Sequence, residues 1–327
     1  MRRTNKVRFL LCALAISMLT ACSGGAGTAS PPPLAQPGST VPQSLLRAAN
    51  SFAPPRAIVV SDATANTVNV FTPDGKRIAT IGGFSEPQGL AANGAGSIFV
   101  ADSANSRIVE YKDDYKTKLA IFADAGEYPS WVGVDDADGI VGVTNVLSTA
   151  GGSGSVSIFA KGQPARPCVT VHNTAWARVY FGAFDGTGNF YVVGGTADGK
   201  PLVGVVRDGC SSTTIATLTH STVLNSPGGV AAGAGGTIYI SDQTASAIYG
   251  FTPSKNSLGP PVSTTRLTGG VGSFALTHDA GDVWTLNSSM AGVSEYAFPA
   301  GGSPLRTIGA KFELPIGIAV APPDIPD

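Results

Sequence analysis

The stretch EPQGLAANGAGSIFVADSANSRIVEYKDDYKTKLAIFAD, residues 86–124, contains one complete four-stranded unit. Its expected inner strand, a, is Gly89–Ala92, followed by a turn at Asn93-Gly94-Ala95-Gly96. Strand b is expected over Ile98–Ala101 and ends at Asp102. Strands c and d follow over Arg107–Tyr111 and Leu119–Phe122. Short runs rich in β-branched and aromatic residues, separated by Gly, Asn, Asp and Ser, carry a strand-and-turn signal.

Outward from this unit, the first apolar residue of strand b, Ile98, has counterparts at Ile58, Ile140, Phe190, Ile238 and Val283. Strand a is introduced eleven residues earlier by Pro87, Pro129 and Pro227, with Val179 and Gly272 at the matching places. Spacings of about 40–50 residues are those of propeller blades, so the chain is expected to be all-β: six blades of four antiparallel strands. Strands b are apolar on both faces, as in Ile98-Phe99-Val100, which suits sheets stacked on neighbours at both sides. Gly and Pro are too frequent, and helical periodicity too scarce, for helices.

The first unit enters directly at strand b, at Ile58. The segment LPIGIAVAPPD (314–324) matches EPQGLAANGAG and has no strand b after it. It is therefore expected to complete blade 1 as its strand a and so close the ring.

The first 21 residues read as an export leader. Arg2, Arg3, Lys6 and Arg8 precede an apolar run, Phe9–Leu19, too short to span a bilayer. Leu19-Thr20-Ala21-Cys22 resembles the lipobox of bacterial lipoproteins. That resemblance implies lipidation of Cys22, and Ser23 after it implies release from the inner membrane toward the outer one. Residues 22–55, rich in Pro, Gly and Ser, read as a disordered tether, and residues 56–327 as the propeller. Four of the 21 basic residues lie in the leader, leaving 17 against 22 acidic ones, a mature charge of about −5. A mildly acidic domain offers nucleic acid no basic patch. The chain is expected to act as a monomer, with the membrane as a partner through its lipid.

Cys168 and Cys210 remain after the leader and lipid site are set aside. An oxidising compartment favours pairing them. Outer strands of adjacent blades stand apart, however, and a bridge needs Cα atoms within about 7 Å. A disulfide and two separate thiols both stand at this point. Asp62, Asp102 and Asp242 end strands b, where a carboxylate can accept hydrogen bonds from turn N–H groups. Thr144 and Asn287 at the same offset can act similarly; Gly194 cannot. Thr, Asn and Gly at that offset suit a structural role better than a ligand role.

The repeat also resembles the NHL type of β-propeller. Its pattern is matched by Pro87, Gly89, Phe99, Ala101, Asp102, Asn105, Arg107 and Ile108, and in part by Pro227, Gly229, Tyr239, Ser241, Asp242 and Ile248. The resemblance implies the fold over about residues 56–324. It leaves function open among scaffolds, binding modules and enzymes. His172, His220 and His278 divide between two faces and make no zinc site. Glu86, Glu127 and Glu313 sit just before the prolines of consecutive blades. They are expected at the channel mouth, where carboxylates could hold Ca²⁺, as in lactonase-type propellers. Two functions follow as expectations. One is an envelope binding or scaffolding module for a protein, peptide or glycan. The other is a metal-dependent hydrolase or lyase using the channel. The b-to-c connection Asn145–Ser155 is long, and 254–265 widens the c-to-d turn of blade 5; the face carrying the b-to-c and d-to-a connections is expected to be the ligand side.

Overall fold

The computed structural model describes residues 57–148, 152–220, 224–276, 281–287 and 292–321. The leader, Cys22, the tether and His278 lie outside them. The described residues form six four-stranded antiparallel sheets, the blades of a propeller. Helix among them is confined to single 3-10 turns at Ser103–Asn105, Gly209–Ser211 and Ala234–Gly236.

Blade 2 is the unit read from the sequence: strands a to d span Pro87–Ala92, Ile98–Asp102, Arg107–Tyr111 and Lys118–Ala123. Blade 1 begins at strand b, Ala57–Asp62, and its strand a is Pro315–Ala321. The pairing is antiparallel, with Ala57 opposite Ala321, Val59 opposite Ala319 and Asp62 opposite Pro315. Closure therefore joins the two ends of the described chain in one sheet. Gly317 makes it possible. A Cβ there would lie 2.3 Å from the Gln88 carbonyl oxygen of blade 2, so only glycine lets these inner strands approach.

The two-faced strands b follow from period-2 geometry. Ile98 and Val100 pack with Val59, Val68 and Val70 of blade 1. Phe99 and Ala101 point the other way, onto Val132, Val141 and Val143 of blade 3. The same alternation recurs around the ring. Ile58 and Val60 meet Trp284 and Leu286 of blade 6, which closes the apolar ring where the sheet itself closes. Burying each such side chain stabilises by about 1.5–3 kcal/mol.

Blade 3 departs from the expected register by one residue. Its strands a and b are longer, Glu127–Asp135 and Ile140–Ser148, and their hairpin contains an additional pair, Asp135 with Ile140. Ala92 faces Ile98 in blade 2; five residues after the proline of blade 3, Val134 faces Val141. The counterpart of Ile98 is therefore Val141, and that of Asp102 is Asn145 rather than Thr144. Part of the expected long loop Asn145–Ser155 is likewise strand, since Tyr128 pairs with Leu147 and Glu127 with Ser148. The expected loop 254–265 holds a short strand, Ser257–Gly259, parallel to Thr219–His220.

Candidate functional site

The d-to-a connections and b-to-c turns share one face of the ring. There the aspartates that end strands b act on backbone. Asp62 accepts from the N–H groups of Glu313 (2.8 Å) and Leu314 (3.0 Å), which lead into strand a of its own blade. Asp242 accepts from Asn225 (2.6 Å) and Ser226 (3.2 Å), and from Ala245 in the following turn (2.9 Å). Asp102 accepts from Ser85 N–H (2.6 Å), Asn105 Nδ2 (2.9 Å) and Arg107 Nε (2.7 Å). The Asp-x-x-Asn-x-Arg spacing of the repeat is thus one hydrogen-bonded clamp on the incoming loop. These charge-assisted bonds fix where strand a begins.

A second set of bonds joins blades near the channel. Hydroxyls of one blade donate to strand a carbonyls of the next: Ser61 to Gln88 (2.5 Å), Ser103 to Pro129 (2.5 Å), Thr144 to Tyr180 (3.0 Å), Ser241 to Gly272 (2.7 Å) and Ser273 to Ile316 (2.6 Å). Thr144 therefore staples blade 3 to blade 4 instead of stabilising its own turn. Between blades 4 and 5 no such hydroxyl occurs among the described residues. The pair formed by Thr219–His220 and Ser257–Gly259 ties those blades farther out.

The three glutamates expected at the channel mouth have separate partners. Glu86 is exposed and accepts a hydrogen bond from the Tyr128 hydroxyl across the junction of blades 2 and 3. Burial and the Glu86 charge push the Tyr128 phenol well above its ordinary value. Glu127 is half-buried and accepts from Ser155 Oγ at 2.8 Å. Glu313 meets Asp62 through its backbone N–H. Among the described residues, no group of three or more His, Cys, Asp and Glu is placed to hold a metal ion, and these glutamates form no such group. Cys168 and Cys210 form a disulfide, with Cα atoms 5.5 Å apart. The 3-10 turn carrying Cys210 reaches Cys168 ahead of strand d.

A polar cluster that the sequence did not single out fills blade 3. Asp124, on the loop entering this blade, is 1 % exposed, and Asn145 is fully buried. Ser157 Oγ lies 2.7 Å from Asp124 Oδ1 and 3.2 Å from Asn145 Nδ2; Ser155 Oγ lies 3.1 Å from the same amide nitrogen. Burial pushes the Asp124 carboxyl up to about 6, against the Ser157 and Asn145 hydrogen bonds and with the Glu127 charge adding to it. Burial also raises Glu127, while Ser155 and His172 pull it down.

On the opposite face, blades 2 and 3 enclose a groove of ≈ 430 Å³. Its lining includes Phe99, Phe122 and Val141, with Glu110, Asp136 and Lys161 among the polar groups. Burial raises both carboxyls, opposed by Ser97 at Glu110 and by the Gly94 N–H at Asp136.

Residues 84–111 match the NHL repeat family. The fold is similar to a chain of the nidogen/laminin complex: 12% identity, TM-score 0.64, 81% of this chain and 98% of that one covered. It is similar to a protein of unknown function from Bacteroides caccae, at 13% identity and TM-score 0.61, covering 82% of this chain and all of that one. A chain of Kuenenia stuttgartiensis hydrazine synthase shares the fold at 13% identity and TM-score 0.56, over 75% of this chain and 81% of that one. No curated protein sequence matches. At these identities the structural likenesses establish the six-bladed propeller.

Proposed function

We propose that this NHL-repeat propeller is a binding or scaffolding module of the bacterial envelope, tethered by a lipid on Cys22. Its ligand is a protein, peptide or glycan, taken on the face of the b-to-c turns. One observation carries the reading: the ring is similar along nearly its whole length to a propeller chain in a protein–protein complex, that of nidogen with laminin. Support also comes from the acidic residues of that face. Asp62, Asp102 and Asp242 are spent on backbone clamps, and Glu86 is engaged by Tyr128 while still exposed to a partner.

The test is capture from envelope extract with the mature chain and with Glu86→Lys combined with Tyr128→Ala. The partner retained by the wild type should be lost at least about tenfold in the double variant, because a charge reversal on a binding face raises dissociation. A charge reversal in the opposite groove, Lys161→Glu, should leave capture unchanged. The reverse pattern would move the ligand to the other face. Anchoring is read separately: Cys22→Ser should abolish palmitate labelling and release the chain from membranes, and a variant that stays labelled refutes it. The lactonase-like alternative stands or falls on chelator-sensitive turnover of a lactone by the purified domain.

A further inference from the structure

We propose that the groove between blades 2 and 3 is a docking site for a peptide segment presenting an arginine, whose guanidinium pairs with Glu110. The site is on the face opposite the proposed b-to-c ligand side and does not depend on that reading.

The argument starts from a position that repeats around the ring. The second residue of each strand b lies opposite one residue of strand c, on the side turned toward the next blade. That strand c residue is Val70 in blade 1, Ile158 in blade 3, Val205 in blade 4 and Gly250 in blade 5. Blades 2 and 6 place a glutamate there: Glu110 opposite Phe99, and Glu295 opposite Trp284. A carboxylate between stacked sheets is costly without a cation beside it.

Blade 6 supplies the cation from its own strand d. Arg306 lies opposite Glu295, and its Nε pairs with the Glu295 carboxylate. Its Nη1 donates to the Pro73 carbonyl oxygen of blade 1 at 3.3 Å. The arginine thus reaches from the glutamate to the c-to-d turn of the next blade. In blade 2 the residue opposite Glu110 is Ala120. Lys118, the cation of that strand, lies over the Tyr111 ring instead. The groove of ≈ 430 Å³ takes up the corresponding space, lined by Glu110 and Ala120 on one wall and Lys161 on the other. Lys161 holds the place of Pro73, since each follows by two residues the phenylalanine that ends strand c, Phe159 or Phe71. The groove is therefore the arginine slot of the junction between blades 6 and 1, with alanine in place of its arginine.

The lining says what fits. Among the described residues Glu110 has no ion-pair partner. Burial raises its carboxyl, opposed by the Ser97 hydroxyl. Asp136 adds a second carboxylate, which accepts from the Gly94 N–H at 2.9 Å. Lys161 lays its stem over Gly139, where a Cβ would come within 3.0 Å of it, and is ion-paired with neither carboxylate. Two carboxylates against one ammonium leave the rim negative. Phe99, Phe122 and Val141 supply an apolar floor. A planar, weakly hydrated guanidinium on an apolar stem suits this combination. Clefts of this size hold more than one side chain, which favours a peptide over a lone guanidinium ion.

The experiment titrates the blocked peptide acetyl-Gly-Leu-Arg-Leu-Gly-amide into the purified, ¹⁵N-labelled mature chain at low ionic strength. The amide signals of Glu110, Ala120 and Lys161 should move, with a Kd of about 1 mM or tighter. The same peptide with citrulline, which keeps the shape and loses the charge, should bind at least about tenfold more weakly. Glu110→Gln should weaken the arginine peptide by at least about tenfold. Ala120→Arg, which copies the arrangement of blade 6, should abolish binding by filling the slot. Glu313→Gln, on the other face, should leave it unchanged. The proposal is overturned if the wild-type signals do not move, if the citrulline peptide binds equally well, or if Glu313→Gln weakens binding as much as Glu110→Gln does. It is equally overturned if Glu110→Gln binds as wild type does, a result that decides the matter even where Ala120→Arg does not fold.

Discussion

Blades 2 and 3 are neighbours that solve the same problem with opposite polarity. Each must hold the loop that enters its strand a. In blade 2 the carboxylate is on strand b, at Asp102, and the loop supplies an N–H from Ser85. In blade 3 the strand b position holds an amide, Asn145, and the loop supplies the carboxylate, Asp124. The reversal keeps one acid in the clamp but strips it of cationic company. A motif can thus be conserved in geometry while its electrostatics are inverted, and the inverted copy is the one left with buried acceptors to satisfy.

The largest effect expected from this contrast is on Asp102. Its removal in Asp102→Ala strands Arg107 and the Ser85 N–H and should cost about 3–5 kcal/mol, read from urea midpoints. Asp124→Asn, measured without divalent cations at pH 7.5, should be neutral or stabilising, since it deletes a buried charge. Equal losses in the two variants would erase the distinction between the blades.

Next in size is pH. The folded chain holds the Asp124 proton more tightly than the unfolded chain does, with a value of about 6 against the ordinary 3.8. The proton linkage therefore stabilises fully below the unfolded value and is lost as pH rises through about 6. Without divalent cations that loss should reach about 2–3 kcal/mol between pH 4 and 7. Subtracting the Asp124→Asn profile from the wild-type profile isolates it, and a flat difference would contradict the assignment.

Smaller effects test the junctions. Ser241→Ala removes the staple to the Gly272 carbonyl and should cost about 1–2 kcal/mol by thermal unfolding. Tyr128→Phe, which loses only the bond to exposed Glu86, should stay within about 1 kcal/mol of wild type.

Much of this architecture is legible in the residues. Five of the six strand b register marks, the displaced closing strand and the structural use of Asp62, Asp102 and Asp242 follow from turn chemistry and alternation. The sixth mark slips because the Asp135–Ile140 pair lengthens a hairpin by one residue, and counting from Ile140 then points to Thr144 instead of Asn145. Asp124 escapes notice for a related reason. It sits in a short loop, AlaAspAlaGly at 123–126, that looks like an ordinary turn, and only the folded neighbours Ser157 and Asn145 reveal its burial. The glutamates read as a channel-mouth set lie one or two residues before the prolines of strand a, and their side chains and backbones are drawn to different partners. The disulfide rests on a 3-10 turn that strand spacing does not encode.

The closing strand has a further consequence for how the molecule is made. In an open stack of repeats, each end needs a special capping unit to shield its apolar face. Here the cap of the first blade is supplied by residues 315–321, which are made after all the other described strands. Blade 1 cannot be finished until residues 315–321 are made, so a stop codon just before them damages the first blade as much as the last. Loss of the last few strand residues should then behave as loss of the whole ring.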